Sequence, residues 1–282
     1  ACTDATTDAN VWTNVGPGTG NVIPYSFNDG GSSYGYFGGG HTLYGATPTN
    51  INVIDQFSFT TDGSATDIAD LTQGRSTIAG ASSQTHGYSA GGYGGVNGTG
   101  AGSWNVVDRI AFASVADAVD VGDINYANAS TIGPIVGTTN GDKAYFSNYH
   151  TVANGNSSGI TGTVFSKYTM SSNITASVDL DLGTTHPTPI TMSSNSLATS
   201  TTHCYSVGGW IAPNYSDLMS KMSYAAEGNA TDVGNLTVGS AANCHECTQT
   251  TTYGYKFGGA VAGPPSSYDN NVVEKWSFAS DG

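Results

Sequence analysis

Large apolar residues alternate with small or polar ones in five short segments: Asp55-Gln56-Phe57-Ser58-Phe59, Asp108-Arg109-Ile110-Ala111-Phe112, Ser166-Lys167-Tyr168-Thr169-Met170, Ser220-Lys221-Met222-Ser223-Tyr224 and Glu274-Lys275-Trp276-Ser277-Phe278. A period of two sends successive side chains to opposite faces, so each segment predicts a β-strand with one face buried. Some 15 to 21 residues ahead of each stands an aromatic closely followed by paired glycine. These phrases are Tyr36-Phe37-Gly38-Gly39, Tyr88-Ser89-Ala90-Gly91-Gly92, Tyr205-Ser206-Val207-Gly208-Gly209 and Tyr255-Lys256-Phe257-Gly258-Gly259, with a degenerate copy at Tyr145-Phe146-Ser147-Asn148. After each of the first four alternating strands, a short turn leads to a third phrase: Ala65-Thr66-Asp67-Ile68-Ala69-Asp70-Leu71, Ala118-Val119-Asp120-Val121-Gly122-Asp123-Ile124, Ala176-Ser177-Val178-Asp179-Leu180-Asp181-Leu182 and Ala230-Thr231-Asp232-Val233-Gly234-Asn235-Leu236.

The fifth copy of that third phrase is expected at the other end of the chain. Asp281-Gly282 ends where Asp62-Gly63 continues into Ser64-Ala65-Thr66-Asp67, and Ala1-Cys2-Thr3-Asp4 fits as the continuation. Read around a circle, the tyrosines are spaced 52, 57, 60, 50 and 63 residues apart. An open ring of sheets would expose edges on its first and last members, which favours closure. The expectation is an all-β, five-bladed β-propeller, a single domain over 1–282, closed by the N-terminal strand pairing in the last blade near Trp276. Its blades fall at about 21–72, 75–125, 131–182, 188–237 and 241–282 plus 1–12. The alternative is a strand donated to a neighbouring copy, which would make a filament.

These phrases resemble the kelch repeat, in which an entry strand leads to an aromatic-x-x-Gly-Gly strand. Arg75, opening the entry strand of blade two ahead of Gly87-Tyr88-Ser89-Ala90-Gly91-Gly92, shows the resemblance best. It covers the whole chain and implies a kelch-like propeller, while saying little of function. The Asp-Gly-x-Ala-Thr-Asp turn and Ser82-Ser83-Gln84-Thr85-His86-Gly87-Tyr88 look similar to kelch-repeat proteins encoded by aquatic bacteriophages.

Composition sharpens this picture. Glycine supplies 39 residues, and 16 Tyr, 9 Phe and 4 Trp can build a core. Seven basic against 21 acidic residues give a formal charge of −14, which repels nucleic-acid phosphates and anionic membranes. No apolar run is long enough to cross a bilayer. Abundant Ser, Thr and Asn with little Lys is common in extracellular and virion-surface proteins, the expected location.

Function is expected on variable loops. The second-to-third-strand connections, at roughly 41–52, 93–103, 150–162, 210–217 and 260–270, are long and irregular, and variable loops on a rigid scaffold often carry binding. Five residues past each register tyrosine stand His41, Tyr93, His150, Trp210 and Ala260. His41, Tyr93, His150 and Trp210 are the candidate ligand-binding residues, because flat rings with polar edges suit stacking on sugars or peptides. Rim packing is the plainer reading of the same rings.

Chemistry is less well signalled. Cys244-His245-Glu246-Cys247 offers metal ligands, but strand alternation sends them to different faces, so no metal site is expected. Cys2, Cys204, Cys244 and Cys247 are disulfide candidates with three possible pairings. Kelch propellers also carry copper radical oxidases, whose Tyr and His pattern is not matched here. A glycoside hydrolase needs two converging carboxylates, whereas most acids here, including Asp55, Asp67, Asp70, Asp108, Asp120 and Asp123, repeat with the blades. His86 and His203, ahead of two register tyrosines, read as structural. Sequons at Asn97, Asn128, Asn156, Asn173, Asn214, Asn229 and Asn235 matter only in a glycosylating source. The expectation is a non-enzymatic extracellular or virion module, without cofactor, that presents its loops to a glycan or protein of a host surface or virion and can assemble further. A secreted carbohydrate-active enzyme is the alternative.

Overall fold

The computed structural model describes residues 2–4, 11–12, 33–42, 49–92, 94, 105–114, 116–124, 136–149, 163–170, 178–181, 196–211, 214–226, 230–239, 247–261 and 268–281. Every named element among them is a strand. A two-stranded sheet joins β1 (Cys2–Asp4) to β2 (Val11–Trp12), and five antiparallel sheets follow in chain order. The first holds β3 (Tyr34–Gly38), β4 (Val53–Ser58) and β5 (Thr66–Asp70). The second holds β6 (Ala79–Ser82), β7 (His86–Ala90), β8 (Val106–Ala111) and β9 (Val119–Asp123). The third holds β10 (Val136–Thr139), β11 (Lys143–Tyr149), β12 (Thr163–Thr169) and β13 (Val178–Asp181). The fourth holds β14 (Ser196–Thr199), β15 (His203–Ile211), β16 (Asn214–Ser223) and β17 (Thr231–Asn235), and the fifth β18 (Cys247–Gln249), β19 (Tyr253–Val261) and β20 (Tyr268–Ser277). Strand order equals chain order in each, so every sheet is a meander of hairpins.

One hydrogen bond sets the register in all five sheets. The amide just past the third strand donates to a carbonyl just ahead of the second: Phe59 to Ser33, Phe112 to Thr85, Met170 to Asp142, Tyr224 to Thr202 and Phe278 to Thr252, at 2.9–3.0 Å. This bond holds the large residue that ends each alternating segment at the same height in its sheet. Alternation then sends the two sets of side chains of each sheet to opposite faces.

The sheets are joined by aromatic contacts that repeat along the chain. Tyr36 stacks on Phe112 of the second sheet at 5.0 Å, Tyr88 leans on Tyr168 of the third at 5.7 Å, Tyr145 stacks on Tyr224 of the fourth at 5.0 Å, and Tyr205 stacks on Phe278 of the fifth at 5.0 Å. Hydroxyls satisfy themselves across the same seams, with Tyr88 donating to the Met170 carbonyl at 2.9 Å and Tyr168 to the Val121 carbonyl at 3.0 Å. Each ring pair adds about 0.5–1.5 kcal/mol beyond the area it buries. The cores lie between sheets: Tyr88, Val107, Phe146 and Tyr168 between the second and third, Tyr145, Cys204 and Met222 between the third and fourth, and Tyr205, Met219 and Trp276 between the fourth and fifth. The first strands of successive sheets also touch, β6 beside β10, β10 beside β14 and β14 beside β18.

Carboxylates clasp two of the seams. Asp108 of β8 accepts from the Thr72 amide at 3.0 Å and the Thr72 hydroxyl at 2.7 Å, just after the first sheet's last strand. Glu274 of β20 does the same for Thr237, just after β17, accepting from its amide at 2.9 Å and from its hydroxyl. Asp108 also pairs with Arg75 at 3.1 Å, both side chains fully buried. Arg75 spends Nη2 on Asp108 and on the Ser89 carbonyl, while its Nε and Nη1 find no acceptor. Burial therefore holds the Arg75 pKa below its ordinary value despite the neighbouring Asp108.

The N-terminus departs from expectation. Cys2 faces Trp12 and Asp4 faces Val11, so residues 2–4 pair within their own segment and not with the strand around Trp276. Among the described residues β20 pairs with β19 alone. Chain entropy favours the local partner: closing six residues instead of some 260 is easier by about 3 kcal/mol. Closure by the N-terminal strand is thereby corrected.

The buried ion pair makes a sharp expectation. Asp108→Ala strands a buried guanidinium and lowers unfolding free energy in urea by about 3–5 kcal/mol, whereas the joint replacement Arg75→Met with Asp108→Leu recovers most of the loss. A loss under about 1 kcal/mol for the single variant would show that Asp108 does not clasp the seam.

Candidate functional site

Each second strand with a complete phrase ends in two glycines of left-handed backbone. Gly39, Gly91, Gly208 and Gly258 have φ of 69°, 63°, 63° and 61°, and Gly40, Gly92, Gly209 and Gly259 follow at 116°, 105°, 133° and 121°. L-residues avoid this region. Space forbids a side chain as well: a Cβ on Gly39 would lie 2.4 Å from the Arg75 carbonyl oxygen, and one on Gly92 would lie 2.7 Å from that of Ser76. Gly39 thereby lets the segment that leads into the second sheet cross closely, and Gly92 does the same for the segment that enters its own sheet. In the fourth and fifth sheets the ladder shifts register at this point, between Val207 and Gly209 and between Phe257 and Gly259, as a bulge does.

Pairing resumes beyond the bend. His41 bridges to Asn50, Trp210 faces Tyr215, and Ala260 faces Asp269. The structure thus puts His41, Trp210 and Ala260 at one equivalent place, the first residue past the glycine pair, and His41 is exposed there. Tyr93 and His150 lie outside the described residues, as does the side chain of Trp210. One expectation is corrected: residues 210–217 are not an irregular loop throughout, because Trp210 faces Tyr215 and Ile211 faces Asn214 in the β15–β16 ladder.

A concavity of about 910 Å³ lies along β3 and is bordered by Ser83 and Thr85, by Thr138, by Thr199 of the fourth sheet and by Gln249 of the fifth. Tyr34 and Phe59 give it apolar walls. Two carboxylates reach it, Asp108 and Asp142. Asp108 is already committed to Arg75 and Thr72.

The two histidines ahead of register tyrosines repeat one arrangement. The ring nitrogen Nδ1 of His86 bonds the Thr85 hydroxyl at 2.8 Å, and His203 bonds Thr202 likewise at 2.8 Å. Each leans on its tyrosine, Tyr88 or Tyr205, at 6.4 Å. Burial, aided by Arg109 for His86 and by Lys221 for His203, lowers both pKa values and favours neutral rings.

Cys204 and Cys247 are both free thiols. Cys204 packs with Tyr145 and Met222 toward the third sheet, whereas Cys247 packs beside Tyr205 and Trp276 on the opposite side of the fourth sheet, so the sheet itself separates them. Cys2 lies in β1, its side chain outside the described residues, and Cys244 to Glu246 lie outside them altogether. Among the described residues no three His, Cys, Asp or Glu side chains gather as metal ligands. Sequence reasoning missed Lys256, which faces Cys247 in register and is buried with its Nζ donating to the Gly258 carbonyl at 2.9 Å. Burial lowers its pKa, opposed by Cys247 and Glu274. A lysine inside an otherwise conforming Tyr-x-x-Gly-Gly phrase was the available signal.

Compared with known proteins, the chain matches no family model and no curated protein. Its site is therefore read from its own chemistry.

Burial raises the Cys204 thiol strongly and the Cys247 thiol to about 12, the latter despite Lys256 and Ser196 nearby. A thiol whose folded pKa is raised stabilises the fold fully below its unfolded pKa. That contribution is lost as pH climbs from about 9 toward 12. Both thiols should resist an aromatic disulfide reagent at mildly alkaline pH in the folded protein and react once it is denatured; rapid native labelling would show that they are accessible.

Proposed function

We propose that the chain is a non-enzymatic binding module of an extracellular or virion surface, a kelch-like ring of five blades whose second-to-third hairpins take hold of an uncharged glycan. The single observation that carries this reading is the distribution of charge. All seven basic residues, Arg75, Arg109, Lys143, Lys167, Lys221, Lys256 and Lys275, sit in strands of the sheets or just ahead of one. The second-to-third-strand segments 41–52, 93–103 and 150–162 hold no Asp, Glu, Lys or Arg, although the chain carries a formal −14. A partner met by hydroxyls, amides and rings without formal charge is one recognised by stacking and hydrogen bonds. Neutral polysaccharide fits that description, and phosphate-rich polymers do not.

The rigid bend supports the same reading. Four glycine pairs share one backbone geometry and then lead into hairpins of different length and sequence. Constant hinges with variable tips resemble a scaffold that presents recognition elements. The occupied state of Asp108 favours binding over two-carboxylate hydrolysis at the β3 concavity. The resemblance to kelch-repeat proteins of aquatic bacteriophages makes a bacterial surface the natural place for such a glycan.

The test measures the protein on immobilised capsular and O-antigen polysaccharides of aquatic bacteria, neutral and anionic. Binding to a neutral polysaccharide should fall about tenfold or more, roughly 1.4 kcal/mol, when His41→Ala and Trp210→Ala are combined. It should also change little between about 0.05 and 0.5 M salt. Unaltered binding by the double variant, or binding confined to anionic polymers and abolished by salt, overturns the reading.

A further inference from the structure

The fourth and fifth sheets meet through a joint of three parts. Tyr205 stacks on Phe278, the Tyr205 hydroxyl donates to Asp281 Oδ1 at 3.0 Å, and the Lys221 ammonium pairs with Asp281 Oδ2. The two oxygens of one carboxyl group are thus held apart, one by a phenol and one by an amine. Tyr205 and Lys221 face each other across the β15–β16 ladder, so both reach the carboxyl from the fourth sheet. Asp281 meets them from the fifth, just past β20, in a left-handed backbone of φ 57° that L-residues rarely adopt. Water has limited access: the Lys221 and Asp281 side chains are 23% and 27% exposed, and Tyr205 is fully buried.

We infer that Lys221 and Asp281 become joined by an isopeptide bond, which staples the fifth sheet covalently to the fourth. A nucleophile, an electrophile and a donor for the developing oxyanion are already assembled. One ammonium proton passes from Nζ to Oδ2 within the pair, leaving a neutral amine against a carboxylic acid. The Nζ lone pair attacks Cγ, and negative charge gathers on Oδ1, where the Tyr205 hydroxyl donates. The Cγ–Oδ2 bond then breaks, Oδ2 takes a second proton from Nζ and leaves as water, and the Cγ=Oδ1 double bond re-forms. The products are one secondary amide and one water, and the step consumes no oxidant, cofactor or net proton. Proximity lowers the barrier, because well-oriented groups react as if at an effective concentration of about 10⁵–10⁸ M. Burial and Asp281 both push the Tyr205 pKa above its usual value, so the phenol keeps the proton it donates.

Such a staple would do what no described disulfide does, since Cys204 of the fourth sheet and Cys247 of the fifth are free thiols. An amide that closes a span of 60 residues restricts the unfolded chain much as a disulfide would, and it survives reduction. The inference concerns only the contact between the fourth and fifth sheets. It depends neither on the ring of five blades nor on the glycan.

Intact-mass spectrometry of the folded protein is the test. The expected mass lies about 18 Da, one water, below that of the sequence, and proteolysis should release the Lys221 and Asp281 peptides as a single branched species. Lys221→Arg keeps the positive charge but offers no free amine, and it should return the full sequence mass, as should Asp281→Ala. Tyr205→Phe should slow the loss of water about tenfold or more in protein followed from cell-free synthesis. Full sequence mass in the folded wild-type protein overturns the inference. So does a loss of water that persists in Lys221→Arg, because Asp281-Gly282 can also lose water by closing a succinimide on its own backbone. Neither outcome bears on polysaccharide binding, so the two readings fail separately.

Discussion

A tyrosine ring pressed against an aromatic of the next sheet is the contact on which the rest of the structure depends. A three- or four-stranded meander of this size buries too little on its own, because strands of four to ten residues offer few apolar side chains per face. Tyr36, Tyr88, Tyr145 and Tyr205 solve this by lending each sheet an apolar wall that belongs to its neighbour. The stability of the chain therefore resides between sheets. Polar groups follow the same logic: Asp108 and Glu274 satisfy backbone groups of the preceding sheet, not of their own.

Close approach of the first two sheets has a geometric condition, and a glycine meets it. Gly39 leaves no room for a Cβ beside the carbonyl of Arg75, so any other residue there would push away the segment that leads into the second sheet, while Gly92 leaves the same clearance for Ser76 at the entry of its own sheet. The same glycines bend the outgoing hairpin. Packing and presentation are thus coupled at one position, and tip sequences can vary because the bend beneath them does not.

Features with a short sequence period were legible. The third strands, the register tyrosines and the first four fourth strands fall where alternation and spacing put them, and Arg75 was visible as an isolated cation ahead of an entry strand. What escaped was set by contacts distant in sequence or by competition between partners. Nothing near Arg75 names Asp108 as its mate, 33 positions away. Trp210 reads as a loop residue by its count from Tyr205, yet the ladder runs to Ile211, with Asn214 opposite it. The N-terminal phrase matches a fourth strand well, but pattern does not weigh loop entropy, and Val11–Trp12 lies far closer along the chain than β20. Of the candidate site, the positions past the glycine pairs were legible because they are counted from the tyrosine; their pairing partners were not.

The distribution of the seven basic residues connects stability to function. Lys221 is tied to Asp281 across a seam, Arg75 to Asp108 inside one, and Lys256 is buried beside Cys247 and Glu274. A chain so poor in cations that uses them inside its sheets has none to place at its tips. The excess of acid then stays on the body, where it keeps copies apart and repels anionic surfaces. Three of the five second-to-third-strand segments carry no formal charge, so on the binding role proposed above they would meet a partner without that penalty. The use of cations inside the sheets and neutral recognition at these segments then act in the same direction.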